Sequence, residues 1–239
     1  MPRIMESATL AVALALLPAV LATRVRHAPA RPFVVTAYEY TFQAPDSIPG
    51  GLVAVRLVNR GKIGHQVALL RLDDSSSLVT PGRYVIVGEY DGDNGHTHET
   101  MGMIRPLTVT GPAPIGPGKL PATPVTIRLT EYHLAISAPL HAGRQRVRVE
   151  NDGAQHHHLS IVRIPGKATL AELDQWDGHS TPAPIEPVNG GTTILDAGQA
   201  SVISLDLRRG RYLFACILSD NAEAKPHYLL GMEQVVAIK

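Results

Sequence analysis

The sequence holds a single cysteine, Cys216, in 239 residues, so no disulfide can form within the chain. It has no block of one charge sign. Formal net charge is +1 with Lys/Arg and Asp/Glu interspersed, which excludes the basic stripe of a nucleic-acid footprint. It also lacks an apolar run of the ~20 residues that a membrane-spanning helix needs. The run Ala8 to Ala22 behind Arg3 is shorter, and Val20-Leu21-Ala22 or Ala28-Pro29-Ala30 offers a small-residue cleavage site. Residues 1–30 therefore read as a signal peptide and leader, with an uncleaved N-terminal anchor as the alternative. The mature chain is expected to be secreted or periplasmic, with no membrane span after cleavage. No cysteine lies near the cleavage site, which excludes a lipoprotein anchor. In an oxidising compartment a lone thiol is a liability unless it is buried or used. Cys216 thus asks for an explanation.

Long helical patterns are also scarce. Nineteen Pro and twenty-one Gly, with short alternating apolar stretches between them, point to an all-β chain with many turns. Thr110 to Pro124 contains five Pro and three Gly and reads as a semi-rigid linker, 111–124. The flanking parts, 31–110 and 125–239, share four blocks in the same order. An offset of 92 aligns Glu39 with Glu131, Tyr40 with Tyr132, Gly51 with Gly143 and Asn59 with Asn151. "HQVALLRL" has a counterpart in "HHLSIVRI", "GRYVIVGEY" in "GRYLFACIL", and "HETMGM" in "HYLLGM". An internal duplication is the economical reading. Alternation predicts strands with Val53, Val55 and Leu57, with Val147 and Val149, and with Ile203, Leu205 and Leu207 on buried faces. Pro49-Gly50-Gly51, Pro81-Gly82, Asn189-Gly190-Gly191 and Arg209-Gly210 read as turns. Short strands at this spacing predict one β-sandwich in each half. One helix is expected after the capping-box pattern Thr169-Leu170-Ala171-Glu172, running into Leu173 and Trp176. It lies in an insertion, 166–200, without a first-half counterpart.

Strand alternation puts Tyr212, Phe214 and Cys216 on one face. His227 follows Cys216 after ten intervening residues, and Met232 follows after four more. Of the three adjacent histidines at 156–158, only the middle one recurs in the first half, as His65, and alternation groups His157 with Leu159 and Ile161. His156 and His158 are then expected to be solvated. Two imidazoles, a thiolate and a weak thioether form the ligand set of a blue-copper electron-transfer site. Taken singly, each residue has a structural reading too, a buried cysteine filling a core above all.

The order Asn-x-Gly…His, Gly-x-Tyr-x-x-x-Cys, His-x4-Met resembles the cupredoxin family across residues 33–239, with the ligand set complete only in the second half. The resemblance implies two Greek-key β-sandwich domains, the second carrying one short helix and one type 1 copper ion. His157 and His227 would be the equatorial imidazoles, Cys216 the thiolate and Met232 the axial ligand. The gap between Cys216 and His227 is longer than in the small electron carriers of that family, and nearer to that of two-domain copper nitrite reductases. Gly88 stands where the first half would need its cysteine, while His65, His98 and Met103 persist. Without a thiolate no blue site can form there, so this half reads as a packing or docking partner that kept its corner residues, Met103 filling core, with Cu(I) held by the three residues as the alternative. Cys216 is flanked by Ala215 and Ile217, which cannot ligate, whereas the multicopper oxidases and nitrite reductases of the resemblance have histidines there. The expectation is a carrier that docks a redox partner protein at the exposed edge of His227, near Pro226, Leu229 and Leu230, and is not itself an enzyme. A metal-free binding or structural module, and a copper storage or delivery protein, are the alternatives.

Overall fold

The computed structural model describes residues 32–72, 81–88, 96–111, 120–175, 184–220 and 225–239. The expected leader, most of the linker and Trp176 lie outside them. Seven strands form the first half: β1 (Phe33–Tyr38), β2 (Thr41–Gln43), β3 (Ser47–Pro49), β4 (Val55–Asn59), β5 (Ala68–Arg71), β6 (Gly82–Val87) and β7 (Ile104–Thr110). They make one sheet in the order β2-β1-β4 and another in the order β3-β7-β6-β5. The inward residues of both sheets, among them Val35, Phe42, Ile48, Ile86 and Leu107, enclose one apolar cluster.

The second half repeats the plan with longer strands. β8 (Val125–Thr130), β9 (His133–Ile136) and β10 (Gly143–Asn151) are followed by β11 (Ser160–Ile164), the helix α1 (Leu170–Asp174) and β12 (Glu186–Gly191). β13 (Ala200–Leu207), β14 (Gly210–Ala215), a 3-10 turn (His227–Leu230) and β15 (Glu233–Ile238) complete it. The sheets run β13-β10-β8-β9 and β12-β11-β14-β15. β8 pairs in parallel with β10, just as β1 does with β4. Both halves are thus β-sandwiches, and their two apolar clusters share no residue. Thr169 caps α1 reciprocally with Glu172, so the helix starts where its capping box predicts. Among the described residues, no helix is long and apolar enough to cross a membrane.

Alternation reads the second half well. Val147 and Val149 are fully buried, and Ile203, Leu205 and Leu207 face inward between the exposed Ser204 and Asp206. Two expectations are corrected. Val55 is exposed at the start of β4, which among the described residues is the outer member of its sheet. Asn189-Gly190-Gly191 is not a turn but the end of β12, paired with β11 through an irregular register at Ser160–Val162. The glycines are needed there for space. A Cβ on Gly190 would lie 2.5 Å from Leu205 Cδ2, and one on Gly191 (φ +130°) would lie 2.6 Å from the Leu159 carbonyl oxygen. That close approach lets the Thr192 N–H bond the Leu159 carbonyl at 3.0 Å, while Thr192 Oγ1 accepts the Leu159 N–H at 2.9 Å.

Gly191→Ala is therefore expected to destabilise the protein by about 2–3 kcal/mol, through an unfavourable φ and a backbone collision. Urea unfolding checks this, and a loss below about 0.5 kcal/mol would show that the bulge tolerates a side chain.

Candidate metal centre

The site begins at the end of β10. Asn151 is fully buried, and its amide donates to the carbonyls of Gln155 (2.7 Å) and Leu195 (2.8 Å) while its oxygen accepts the Gly153 N–H (2.9 Å). One side chain thereby folds the whole segment 152–156 and ties it to the strand-like stretch at Leu195. His157 comes next, bonded to Leu195 in both directions at 3.1 and 2.8 Å. Its imidazole is sealed from solvent and turned by this bridge toward the core.

β14 delivers Cys216 from the opposite sheet, with Tyr212 and Phe214 buried on the same face as alternation predicts. The described ends of the ten-residue stretch between Cys216 and His227 pair with each other. Asp220 N–H bonds the Lys225 carbonyl (2.7 Å), His227 N–H the Leu218 carbonyl (2.8 Å), and Tyr228 N–H the Cys216 carbonyl (2.9 Å). The long gap thus returns His227 beside the sulfur. The turn continues to Gly231 (φ +108°), and Met232 closes it by donating to the His227 carbonyl at 3.0 Å and accepting the Cys216 N–H at 3.1 Å.

The result is a buried cluster of His157, Cys216 and His227, whose donor atoms all lie within 4.8 Å of one another. His157 Nδ1 is 3.1 Å from His227 Nδ1, and Cys216 Sγ is 3.5 Å from His227 Nδ1. An ion about 2.0–2.1 Å from each nitrogen and about 2.3 Å from sulfur in a trigonal plane sets N–N near ~3.5 Å and N–S near ~3.8 Å. The two edges at His227 match that size to within a few tenths of an ångström. Met232 is fully buried in the same apolar cluster as Cys216.

The electrostatics suit a soft cation. Burial pushes the Cys216 thiol up, although the backbone amides of His158 and Leu218 pull the other way. A thiolate at this position therefore needs a positive partner. Burial pushes His157 down to about 4 and lowers His227, so both imidazoles offer lone pairs at neutral pH. Glu131 sits behind His157, its Oε1 3.8 Å from Nε2, and backbone N–H groups of Gln155 and Ala154 hold the carboxylate below its usual range. A Cβ on Gly153 would lie 2.7 Å from that oxygen and 2.9 Å from Nε2, so only glycine leaves room for the pair. The Tyr132 ring packs edge-on against His227 (centroids 5.5 Å), and its hydroxyl donates to Asp220 Oδ2 at 2.6 Å. Tyr132 adopts φ +59°, an unfavourable conformation for a bulky residue. The two-residue turn between β8 and β9 thereby aims Glu131 at one imidazole and Tyr132 at the other.

The structure brings His157, Cys216 and His227 together, with Met232 buried in the same apolar cluster as Cys216. Two expectations about their surroundings do not hold. His158 is not solvated: it is 2% exposed, its N–H points at Cys216 Sγ (3.5 Å) and its Nδ1 lies 3.9 Å from that sulfur. Alternation presumes that every other side chain meets water, but His157, His158 and Leu159 are all buried. His156 is half exposed and pairs with Asp196 at 2.8 Å. Nor does His227 have an exposed edge: it is 1% exposed beneath Tyr132 and its own turn. Sequence reasoning also gave no role to Glu131 or Asn151, although both recur in the first half as Glu39 and Asn59. That recurrence beside Gly61 and Gly153 was the available signal.

The buried histidines fix how the metal-free protein responds to acid. His157 and His158 are both pushed down to about 4, chiefly by burial and then by the neighbouring His227, against ~6.5 for a solvated histidine. The unfolded chain binds these protons first, so the stability they contribute is complete above ~6.5 and is lost as pH falls toward 4. The denaturation midpoint of copper-free protein should drop between pH 7 and 4.5, and His158→Asn should make that drop shallower. Parallel curves for the two proteins would refute the assignment.

No protein-family model matches the chain, and no curated protein does. Solved structures do. A reduced auracyanin from the photosynthetic bacterium Roseiflexus castenholzii is 23% identical over 48% of this chain and 94% of its own, with a TM-score of 0.34. A copper-containing nitrite reductase from Thermus scotoductus is 11% identical over 87% of this chain and 61% of its own, with a TM-score of 0.28. A blue copper oxidase from Nitrosomonas europaea is 15% identical over 87% of this chain and 75% of its own, with a TM-score of 0.27. The chain folds as two β-sandwiches, the second holding a buried His-Cys-His cluster.

Proposed function

We propose that the protein is a secreted cupredoxin that carries electrons through one type 1 copper ion, held by His157, Cys216, His227 and Met232. The observation that carries this reading is the convergence of two imidazole nitrogens and one thiol sulfur in a sealed pocket. Copper bound there would supply one-electron redox chemistry, with soft sulfur ligands favouring Cu(I) and imidazoles suiting Cu(II). The chain's own residues supply the rest. The β14 end and the 216–232 segment fix the sulfur and His227 relative to each other. Glu131 and the Leu195 bridge orient His157. The His158 and Leu218 amides stabilise negative charge on sulfur. Burial of His157, Cys216, His227 and Met232 excludes water from the cluster. The residues flanking Cys216, Ala215 and Ile217, carry no metal-binding atom, which supports a carrier over an enzyme. The shared loop geometry of the halves, with Tyr40 and Tyr132 at φ +57° and +59°, supports descent by internal duplication.

Cys216→Ser is expected to abolish the intense visible absorption of the copper-loaded protein, and His157→Ala to do the same. His156→Ala should leave the spectrum unchanged, and Met232→Leu should raise the reduction potential with the colour kept, because the axial bond is weak. Full colour in Cys216→Ser would overturn the ligand assignment.

With His227 buried, a redox partner must approach through the side chains above it. Leu229 is 53% exposed and Ile217 43% exposed, on backbone joined by the Tyr228–Cys216 bond. Transient redox encounters bury less than ~1,200 Å² in total, so one charge on such a patch counts. Leu229→Lys should slow electron exchange with a physiological or surrogate partner at unchanged copper spectrum. Sustained oxygen consumption with phenolic or Cu(I) donors, or nitrite reduction with a reduced dye, would instead establish an enzyme.

A further inference from the structure

The first half lacks the cysteine but not the pocket. His65 and His98 stand with ring centroids 5.3 Å apart and planes at 57°, against 4.9 Å and 62° for His157 and His227. Tyr40 packs edge-on against His98 at 5.4 Å, as Tyr132 does against His227 at 5.5 Å. Met103 N–H bonds the His98 carbonyl at 2.9 Å, and Gly88 N–H bonds the Met103 carbonyl at 3.1 Å. The matching bonds in the second half are 3.0 and 3.1 Å. Asn59 folds its loop with bonds to the Ile63 carbonyl (2.6 Å) and the Gly61 N–H (2.8 Å), and Glu39 takes the Lys62 N–H.

One atom differs in kind. A Cβ on Gly88 would lie 2.6 Å from Met103 Sδ, in contact with Phe42 Cζ at 3.4 Å. The thioether therefore fills the space a cysteine side chain would take, and the pocket offers sulfur from Met103 in place of a thiol. Met103 and His98 are sealed from solvent. Both ring nitrogens of His65 are also buried and make no hydrogen bond. A buried imidazole with two unmet nitrogens is unfavourable as mere packing and calls for a partner.

We propose that His65, His98 and Met103 form a second metal site, selective for monovalent copper and colourless. Two neutral imidazoles and a thioether suit a soft monovalent cation, and without a thiolate there is neither the strong anionic donor that holds Cu(II) in a blue site nor its charge-transfer colour. The Glu39 carboxylate behind His65 adds a compensating negative charge. This site stands independently of the one at Cys216, and the protein so equipped holds two copper ions when reduced.

The test uses the full chain under anaerobic conditions. The second-half ligands are first disabled in a Cys216→Ser, His157→Ala variant, because His227 and Met232 would otherwise compete. Cu(I) is titrated against the chromogenic chelator bicinchoninate. The variant should retain one equivalent, and adding His65→Ala or Met103→Leu should weaken its binding at least about tenfold, the scale that even an outer partner of a metal site commands. No uptake against the chelator, or unchanged affinity in those two variants, would overturn the proposal. A second reading uses wild-type protein and avoids folding defects. With methionine methyl groups labelled, a second equivalent of Cu(I) should shift the Met103 resonance, assigned through Met103→Leu. An unmoved Met103 signal at two equivalents also overturns it. Failure of the Cys216 site appears separately, as wild-type protein that stays colourless with Cu(II).

Discussion

A thiol buried without a counter-charge prefers to stay protonated, and that constraint organises the second half. Cys216 is sealed in the core, where its own surroundings oppose ionisation. The structure answers with groups that suit a cation: two imidazoles kept neutral by burial, and two amides turned toward the sulfur. None of these would be stable alone in an apolar interior. The sandwich, the Asn151 clasp and the segment from Cys216 to Met232 serve to hold them within a few ångströms. Moving any one by a residue would leave an orphaned polar group in the core, which costs about 1–3 kcal/mol.

The two halves show how narrowly chemistry depends on one side chain. Loop bonds, turn geometry, edge-on tyrosines and facing histidines agree in both, to within a few tenths of an ångström where distances are shared. Between Gly88 and Cys216 the backbone does the same work, and only the side chain differs. The freed volume is not left empty, because a void in a close-packed interior forfeits contacts. Met103 leans into it. Loss or gain of a thiolate at this corner thus needs little else in the fold to change.

Much of this was legible in the sequence, and for identifiable reasons. The ligand order and the choice of His157 among three histidines came from the repeat, which carries positional information that composition lacks. Thr169 and Glu172 placed the helix because a capping box is a local interaction. His158 escaped, because alternation cannot detect a segment covered on both faces. Val55 escaped because its exposure depends on which strand flanks β4, a tertiary fact. Gly190 and Gly191 look like a turn in any local reading, since the close approach that requires them involves Leu205 and Leu159, distant in sequence. Glu131 needed geometry to show that its carboxylate stands behind an imidazole.

The stretch between Cys216 and His227 has a further consequence. Its registry is fixed at the base by the Leu218–His227 and Asp220–Lys225 bonds, which place Cys216 and His227 beside each other. Residues added between Asp220 and Lys225 would lengthen a closed loop, at a cost of only about 0.6 kcal/mol for each doubling. A change in the length or composition of residues 221–224 would therefore leave the base bonds, and the cluster of His157, Cys216 and His227 beyond them, in place.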